Sequence, residues 1–248
     1  MFLPEIFNLG KAFKQYFEVV PALSDVLKDE VFRIRHQVYC EDLAFEAPRP
    51  DKRERDDYDA QSLHLLIRSV QIGDFIGCTR IVRVRPDDPH LPLPFEKSCA
   101  VTLNRSLVDP AKLPRDTIAE ISRLAVISRF RKRKGEAQTP LGNYDKNFGT
   151  WKQPRFPYIS SALFLGVIEM ACLNGIDTLF MLTEEREVSS ISRLGVRIQT
   201  IGGAVEHRGK RVPSMINTPS VLKNLNFLIR PLYRTVAAEV AEGSGSRI

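Results

Sequence analysis

Three charged residues sit where the hydrophobic pattern calls for apolar ones, and they constrain the fold more than any other feature. Arg35 lies on the ridge Val31–Arg35–Tyr39, one helical turn from each neighbour. Arg80 shares a strand face with Cys78, Val82 and Val84. Glu120 opens an apolar strand, on a face with Leu124 and Val126. An unpaired charge on a buried face is very costly, so each needs a partner of opposite sign. Segments far apart in the chain must therefore converge. The loop from Glu54 to Asp59 offers the carboxylates Asp56, Asp57 and Asp59. Two readings stay open: a structural ion-pair network beneath a loop, or a polar pocket at a sheet that holds a charged substrate. They overlap, because pockets are often lined by such networks. Glu120 and Arg123 are three apart and would face opposite sides of a regular strand. Only a β-bulge between them puts both in one pocket.

The pattern around these charges is mixed α/β. Ser24 can cap a helix over roughly 24–41, with Leu27, Val31, Ile34 and Val38 as its buried stripe. A charged loop covers 47–58. Strand-like runs at 63–70 and 75–84 flank Gly73 and Asp74, a hairpin signature. Residues 86–117, rich in Pro and Asp, read as irregular, and 119–127 as a strand. Ser160 or Ser161 can cap an apolar helix that stops at Gly175. A short buried strand at 177–183 and a short helix at 184–193 follow. Residues 196–206 and 211–216 pair across a turn at 207–210, and the 220s and 230s read as helical around Pro231. The order implies a three-layer α/β/α domain with a mixed central sheet. At 248 residues the chain fits a single domain, 1–240. It carries a helical segment at 1–22, an insertion at 131–156 and a flexible tail at 241–248.

Composition excludes several classes. Cys40, Cys78, Cys99 and Cys172 are scattered, with no paired spacing and no His at ligand distance, so neither disulfides nor a metal site is expected. Pro4 and Glu5 stand where a secretory leader has its basic region, and no apolar run reaches the ~18 residues of a membrane span. A cytoplasmic location is expected, with peripheral membrane contact open through Phe7, Phe13 and Phe17. The net charge is +6. Arg129, Arg131, Lys132, Arg133 and Lys134 concentrate it in one run. That run is either a solvated loop or a landing site for an acidic partner. No aromatic-rich motif accompanies it, which argues against nucleic acid.

The ordered charges resemble a known family. Arg35, Tyr39 and Phe45 are similar to the N-terminal Arg–Phe–Trp pattern of the acyl-homoserine-lactone synthases, at the same spacing. Asp56-Asp57-Tyr58-Asp59 resembles the family's D-x-[FY]-D element. Gly77 to Arg80 resembles the strand with its next arginine, and Glu120-Ile-Ser-Arg123 its E-x-x-R strand. Residues 32–40 and 205–213 also resemble the acyltransferases associated with PEP-CTERM/exosortase systems. The chain departs from the pattern at Phe45, in a longer connection between Arg80 and Glu120, and in the insertion after the E-x-x-R strand.

The resemblance implies a GNAT-like fold and transfer of an acyl group from an acyl carrier protein, or from coenzyme A, to an amine. No permanently bound cofactor is implied. In the lactone synthases the acceptor is S-adenosylmethionine; in the N-acyl amino acid synthase relatives it is an amino acid. A silent GNAT-like binding module is the rival from another class. By this reading Glu120 is the base and Arg123 orients it or the donor. Arg35, Tyr39, Phe45, Asp56, Asp59 and Arg80 shape the acceptor pocket. Backbone N–H groups near Val126 hold the thioester oxygen, and the basic run faces the acidic carrier protein. Residues 132–137 are faintly similar to the pyrophosphate loop of coenzyme A-dependent GNAT enzymes. Phe164, Leu165, Ile168 and Met170 are candidates for an acyl tunnel, with core packing as their default reading.

Overall fold

The computed structural model describes residues 8–131 and 158–245. Asn8 caps α1 (Leu9–Tyr16), accepting from the N–H groups of Gly10 and Lys11. The chain then enters β1 (Phe17–Pro21) directly. This corrects the helical expectation for 1–22: Phe17, Val19 and Pro21 alternate inward with a period of two, and they add an edge strand to the sheet. α2 (Asp25–His36) starts where expected, with the Ser24 hydroxyl accepting the Leu27 N–H at 3.3 Å. It runs on into a π-helical turn, Gln37–Asp42.

β2 (Ser62–Ser69) and β3 (Phe75–Arg83) form the expected hairpin, turning through Gly73 at φ 74°. The irregular stretch after it contains one helical turn, α3 (Pro94–Ser98). Next come β4 (Ile118–Val126) and α4 (Ser128–Arg131). α5 (Tyr158–Leu173) contains Ser160 and Ser161 inside it rather than at its cap, since Tyr158 is already helical. β5 (Thr178–Thr183), α6 (Glu185–Ser192), β6 (Gln199–Thr200), β7 (Val205–Glu206), β8 (Lys210–Asn217) and α7 (Thr218–Asn224) follow. α8 (Arg230–Gly243) buries Ala241, which corrects the start of the expected tail.

The sheet runs β1-β2-β3-β4-β5-β8-β6, with β7 also paired to β8. Every pairing is antiparallel except β4 with β5. Helices cover both faces. Cys78 of β3 points its thiol at the Val31 carbonyl of α2 on one face. Leu65 of β2 meets α5 at Gly166 on the other, where an added Cβ would lie 2.5 Å from the Leu65 methyl. α5 is apolar all round because the sheet, α7 and α8 enclose it.

One feature of the sheet positions the site. The parallel pairing of β4 with β5 ends at Ile121 opposite Met181. Both strands continue, to Val126 and Thr183, and a fork opens between them. Leu65, fully buried between sheet and α5, reports on this packing. Leu65→Ala is expected to cost about 2–5 kcal/mol of stability, read from urea unfolding midpoints at unchanged slope.

Candidate active site

Arg35, on the sheet side of α2, is completely buried. Its Nε donates to Glu54 Oε2 and its Nη1 to Asp59 Oδ1, both at 2.5 Å. Arg80 reaches the same place from β3. Its Nη1 donates to Asp56 Oδ1 at 2.7 Å and Asp59 Oδ1 at 2.6 Å, and its Nη2 to Asp56 Oδ2 at 2.8 Å. Arg123 of β4 donates to Asp56 Oδ2 at 2.9 Å and Glu54 Oε1 at 3.3 Å. Three guanidiniums thus meet three carboxylates, which offsets the desolvation of each. Burial alone would raise the acids. Arg35 and Arg123 instead hold Glu54 below its usual range, and Arg80, Arg123 and Arg35 hold Asp56 at about 2. Arg35 and Arg80 lower Asp59 likewise. The sequence reading named Asp56, Asp57 and Asp59 as the partners and omitted Glu54. Asp57 is exposed, whereas Glu54 is buried at the centre of the network.

The required bulge exists. Arg80 pairs with Ser122 and Cys78 with Ala125, so Arg123 and Leu124 both lie opposite Thr79. Arg123 takes up the slack at φ 53°, a left-handed conformation unusual outside glycine. The extra residue returns Arg123 to the face that carries Glu120 and Ser122. It also flips Val126 to the other face, where it pairs with Gly77 and packs in the core beside Ile67. The Val126 side chain therefore does not line the cavity. The backbone irregularity lies before it, at Arg123 and Leu124.

Glu120 is 4% exposed and accepts the Phe95 N–H at 2.7 Å. Among the described residues it takes part in no ion pair. Burial pushes its carboxyl up to about 8, against the pull of the Phe95 N–H, Arg80 and Arg123. Its folded pKa thus exceeds its unfolded value near 4.5. The stability it contributes is complete below that value and is lost as pH rises through about 8.

A cavity of about 300 Å³ occupies the fork between β4 and β5. Tyr39, Asp56, Arg80, Glu120, Ser122 and Arg123 line one wall; Met181, Thr183, Glu187, His207, Arg208 and Arg211 contribute elsewhere. The Tyr39 hydroxyl donates to the Leu124 carbonyl at 3.0 Å, and the guanidinium carbons of Arg123 and Arg208 lie 5.7 and 5.9 Å from its ring centre. Arg35 and Asp59 stand behind this wall rather than in it. The charges form a buried ion-pair network, and that network makes one side of a pocket.

Several expected placements change. Phe45 does not line the cavity; it is half-buried against the main core, and its N–H donates to the Tyr39 carbonyl at 2.8 Å. Of the tunnel candidates Phe164 reaches the cavity, while Leu165, Ile168 and Met170 are core. Arg131 is buried on Asp42 at 2.9 Å and Arg129 pairs with Asp74 at 3.0 Å, so neither is an uncommitted surface cation. Lys132, Arg133 and Lys134, with most of the insertion 131–156, lie outside the described residues. Sequence reasoning missed His207, Arg208 and Arg211, which β7 and β8 carry to the cavity.

A model of the Acetyltransferase (GNAT) domain matches residues 34–139, a span that holds the end of α2, the network and β4. No curated protein matches the chain. Solved structures do. The acyl-homoserine-lactone synthase LasI aligns at 20% identity over 82% of this chain and 89% of its own, with a TM-score of 0.55. BjaI, a coenzyme A-dependent acyl-homoserine lactone synthase solved with S-adenosylmethionine and isopentyl-CoA, aligns at 18% over 92% and 98%, TM-score 0.56. FeeM, an N-acyl amino acid synthase from uncultured soil microbes, aligns at 13% over 86% and 96%, TM-score 0.52. The chain has a GNAT-like fold. In this GNAT-like sheet the fork, the bulge and the network meet at a single cavity.

Arg35→Met would leave Glu54 and Asp59 short of a cation, and is expected to cost about 3–5 kcal/mol in urea unfolding. The network also sets an acid limit. Its carboxylates have lowered pKa values, so their stabilisation is present above the usual carboxylate range. It is lost as pH falls from about 4 towards 2, which acid unfolding followed by circular dichroism would record.

Proposed function

We propose that the protein is an N-acyltransferase that moves an acyl group from a thioester to the amine of a small acceptor, an amino acid being the best fit. One observation carries this reading: Glu120 faces the cavity from the β4 side of the fork with no cation fixing it. Glu54, Asp56 and Asp59 are what structural carboxylates in this chain look like, each bound to arginine. A silent binding module would have no use for a buried acid without an ion-pair partner at the fork where β4 and β5 part.

The chemistry follows from the placement. The acceptor nitrogen attacks the thioester carbonyl carbon, and the new C–N bond forms as the carbonyl becomes an oxyanion. Beyond Ile121, β4 has no partner residue on β5. Its N–H groups there suit the oxyanion, and they are fixed before reaction. Glu120, as carboxylate, takes the proton that the nitrogen loses, directly or through water. The C–S bond then breaks, and the proton passes to the departing thiolate. Arg123 positions the wall beside Glu120 and keeps a positive potential near it. No covalent enzyme intermediate is needed.

For the donor, the reading keeps an acidic acyl carrier protein, with coenzyme A as the alternative vehicle. Docking at the run 129–134 rests on charge alone, since Arg129 and Arg131 are already paired. S-adenosylmethionine, the acceptor of a lactone synthase, is the second reading. The BjaI structure named above carries it, and that molecule offers an amine and a carboxylate as an amino acid does. The PEP-CTERM/exosortase subgroup remains part of the proposal through residues 32–40 and 205–213.

Mass spectrometry of reactions containing acyl carrier protein or coenzyme A thioesters and a panel of amines should detect an N-acyl product. Glu120→Gln should lower kcat about a hundredfold or more, with the melting temperature retained. The wild-type rate should rise as pH increases through about 8, the direction set by a base that must lose its proton first. A variant with undiminished kcat would remove Glu120 from this role.

A further inference from the structure

Each arginine around the cavity can be matched to a carboxylate until one is left over. Arg35 holds Glu54 and Asp59, Arg80 holds Asp56 and Asp59, and Arg123 holds Asp56. Arg208 is ion-paired with Glu46. Arg211 is different. Its Nε donates to the His207 carbonyl at 2.9 Å, which fixes the side chain without neutralising it. Its nearest carboxylate, Glu184, is 3.8 Å away and already accepts the Arg186 guanidinium at 2.8 Å. Glu187, also at the cavity, accepts from the Thr183 hydroxyl; burial raises its pKa and the neighbouring Arg211 pulls it back down, but among the described residues the two form no ion pair.

The surplus cation is not on open surface. Arg211 has 13% of its side chain exposed and lines the cavity along with Arg208 and His207. Their positive charges crowd one another. Burial lowers the His207 and Arg208 pKa values, and the neighbouring Arg211 lowers both further. An anion placed among them would relieve that repulsion. A guanidinium held mainly by the backbone carbonyls of His207 and Leu182, at 2.9 and 3.4 Å, suits an incoming carboxylate, which a guanidinium can grip with two parallel N–H bonds.

We propose that Arg211, with Arg208 beside it, binds the carboxylate of the amine acceptor and so selects acceptors of the α-amino acid type. This rests on the acyl-transfer reading, and it adds which end of the acceptor is held and by what. With the carboxylate on the β7–β8 side, the amine of the same molecule is free to face β4 and Glu120. Arg211 is a specificity-determining residue on this account, and it takes no part in proton transfer.

Binding tests this without turnover. Isothermal titration would measure the common amino acids and S-adenosylmethionine one by one. The tightest ligand would then be compared with its decarboxylated amine and with inorganic phosphate, the probe for a pantetheine phosphate. The expected result is that removing the carboxylate weakens binding about tenfold or more, and that phosphate does not displace the ligand. Arg211→Gln should weaken the amino acid about tenfold and leave the decarboxylated amine unchanged, and Arg211→Lys should restore part of the loss. Equal binding of acid and amine, binding of phosphate alone, an equal effect of Arg211→Gln on both ligands, or no amino acid bound at all would each overturn the proposal. The comparison of acid with amine uses the wild-type protein, so it stands even if a variant fails to fold. If Arg211-dependent binding holds and no N-acyl product ever forms, it is the enzymatic reading that falls.

Discussion

The architecture of the site depends on one interaction: the buried meeting of Arg35, Arg80 and Arg123 with Glu54, Asp56 and Asp59. Its six members come from a helix, two neighbouring strands and a loop. Each side chain is tolerable inside the protein only while the others are present. The network therefore fixes where the loop crosses the sheet and how α2 lies against β3. It also supplies the fixed polar wall that a cavity for charged chemistry requires.

Two backbone irregularities turn that wall into a site. The bulge at Arg123 puts two residues opposite Thr79, and so brings a residue of the wrong parity onto the network face. The fork beyond Ile121 leaves β4 without a β5 partner beside the cavity. Glu120 sits between these features, close enough to Arg80 and Arg123 to feel their field and outside their hydrogen-bonding reach. Its pKa therefore reflects burial first and neighbouring charge second. The same balance leaves it with a proton to exchange near neutral pH.

Much of this was legible in the sequence because it rests on parity and burial. Charges at Arg35, Arg80 and Glu120 broke an apolar pattern, and the need for a bulge followed from counting residues between Glu120 and Arg123. Glu54 was less visible, since it stands in a loop where no periodicity marks a residue as buried. The Val126 side chain leaves the face of Glu120 because the bulge that rescues Arg123 reverses the residues after it. Phe45 was placed at the cavity by resemblance alone, and packing took it to the core. β1 was hidden because five residues following a helix give too little alternation to separate from it. His207, Arg208 and Arg211 looked like ordinary turn charges. The hairpin that holds them was legible, but only the long-range pairing of β8 with β5 carries it to the cavity, and that contact leaves no local signal.

The central claim is that a balanced network leaves Glu120 as an isolated, protonatable acid at the fork. Infrared difference spectroscopy of wild type against Glu120→Gln would isolate its carboxyl C=O band and follow it with pH. The account predicts a protonated band that persists at neutral pH and is half lost near 8. A band that disappears at the ordinary carboxylate pH of about 4–5 would contradict it.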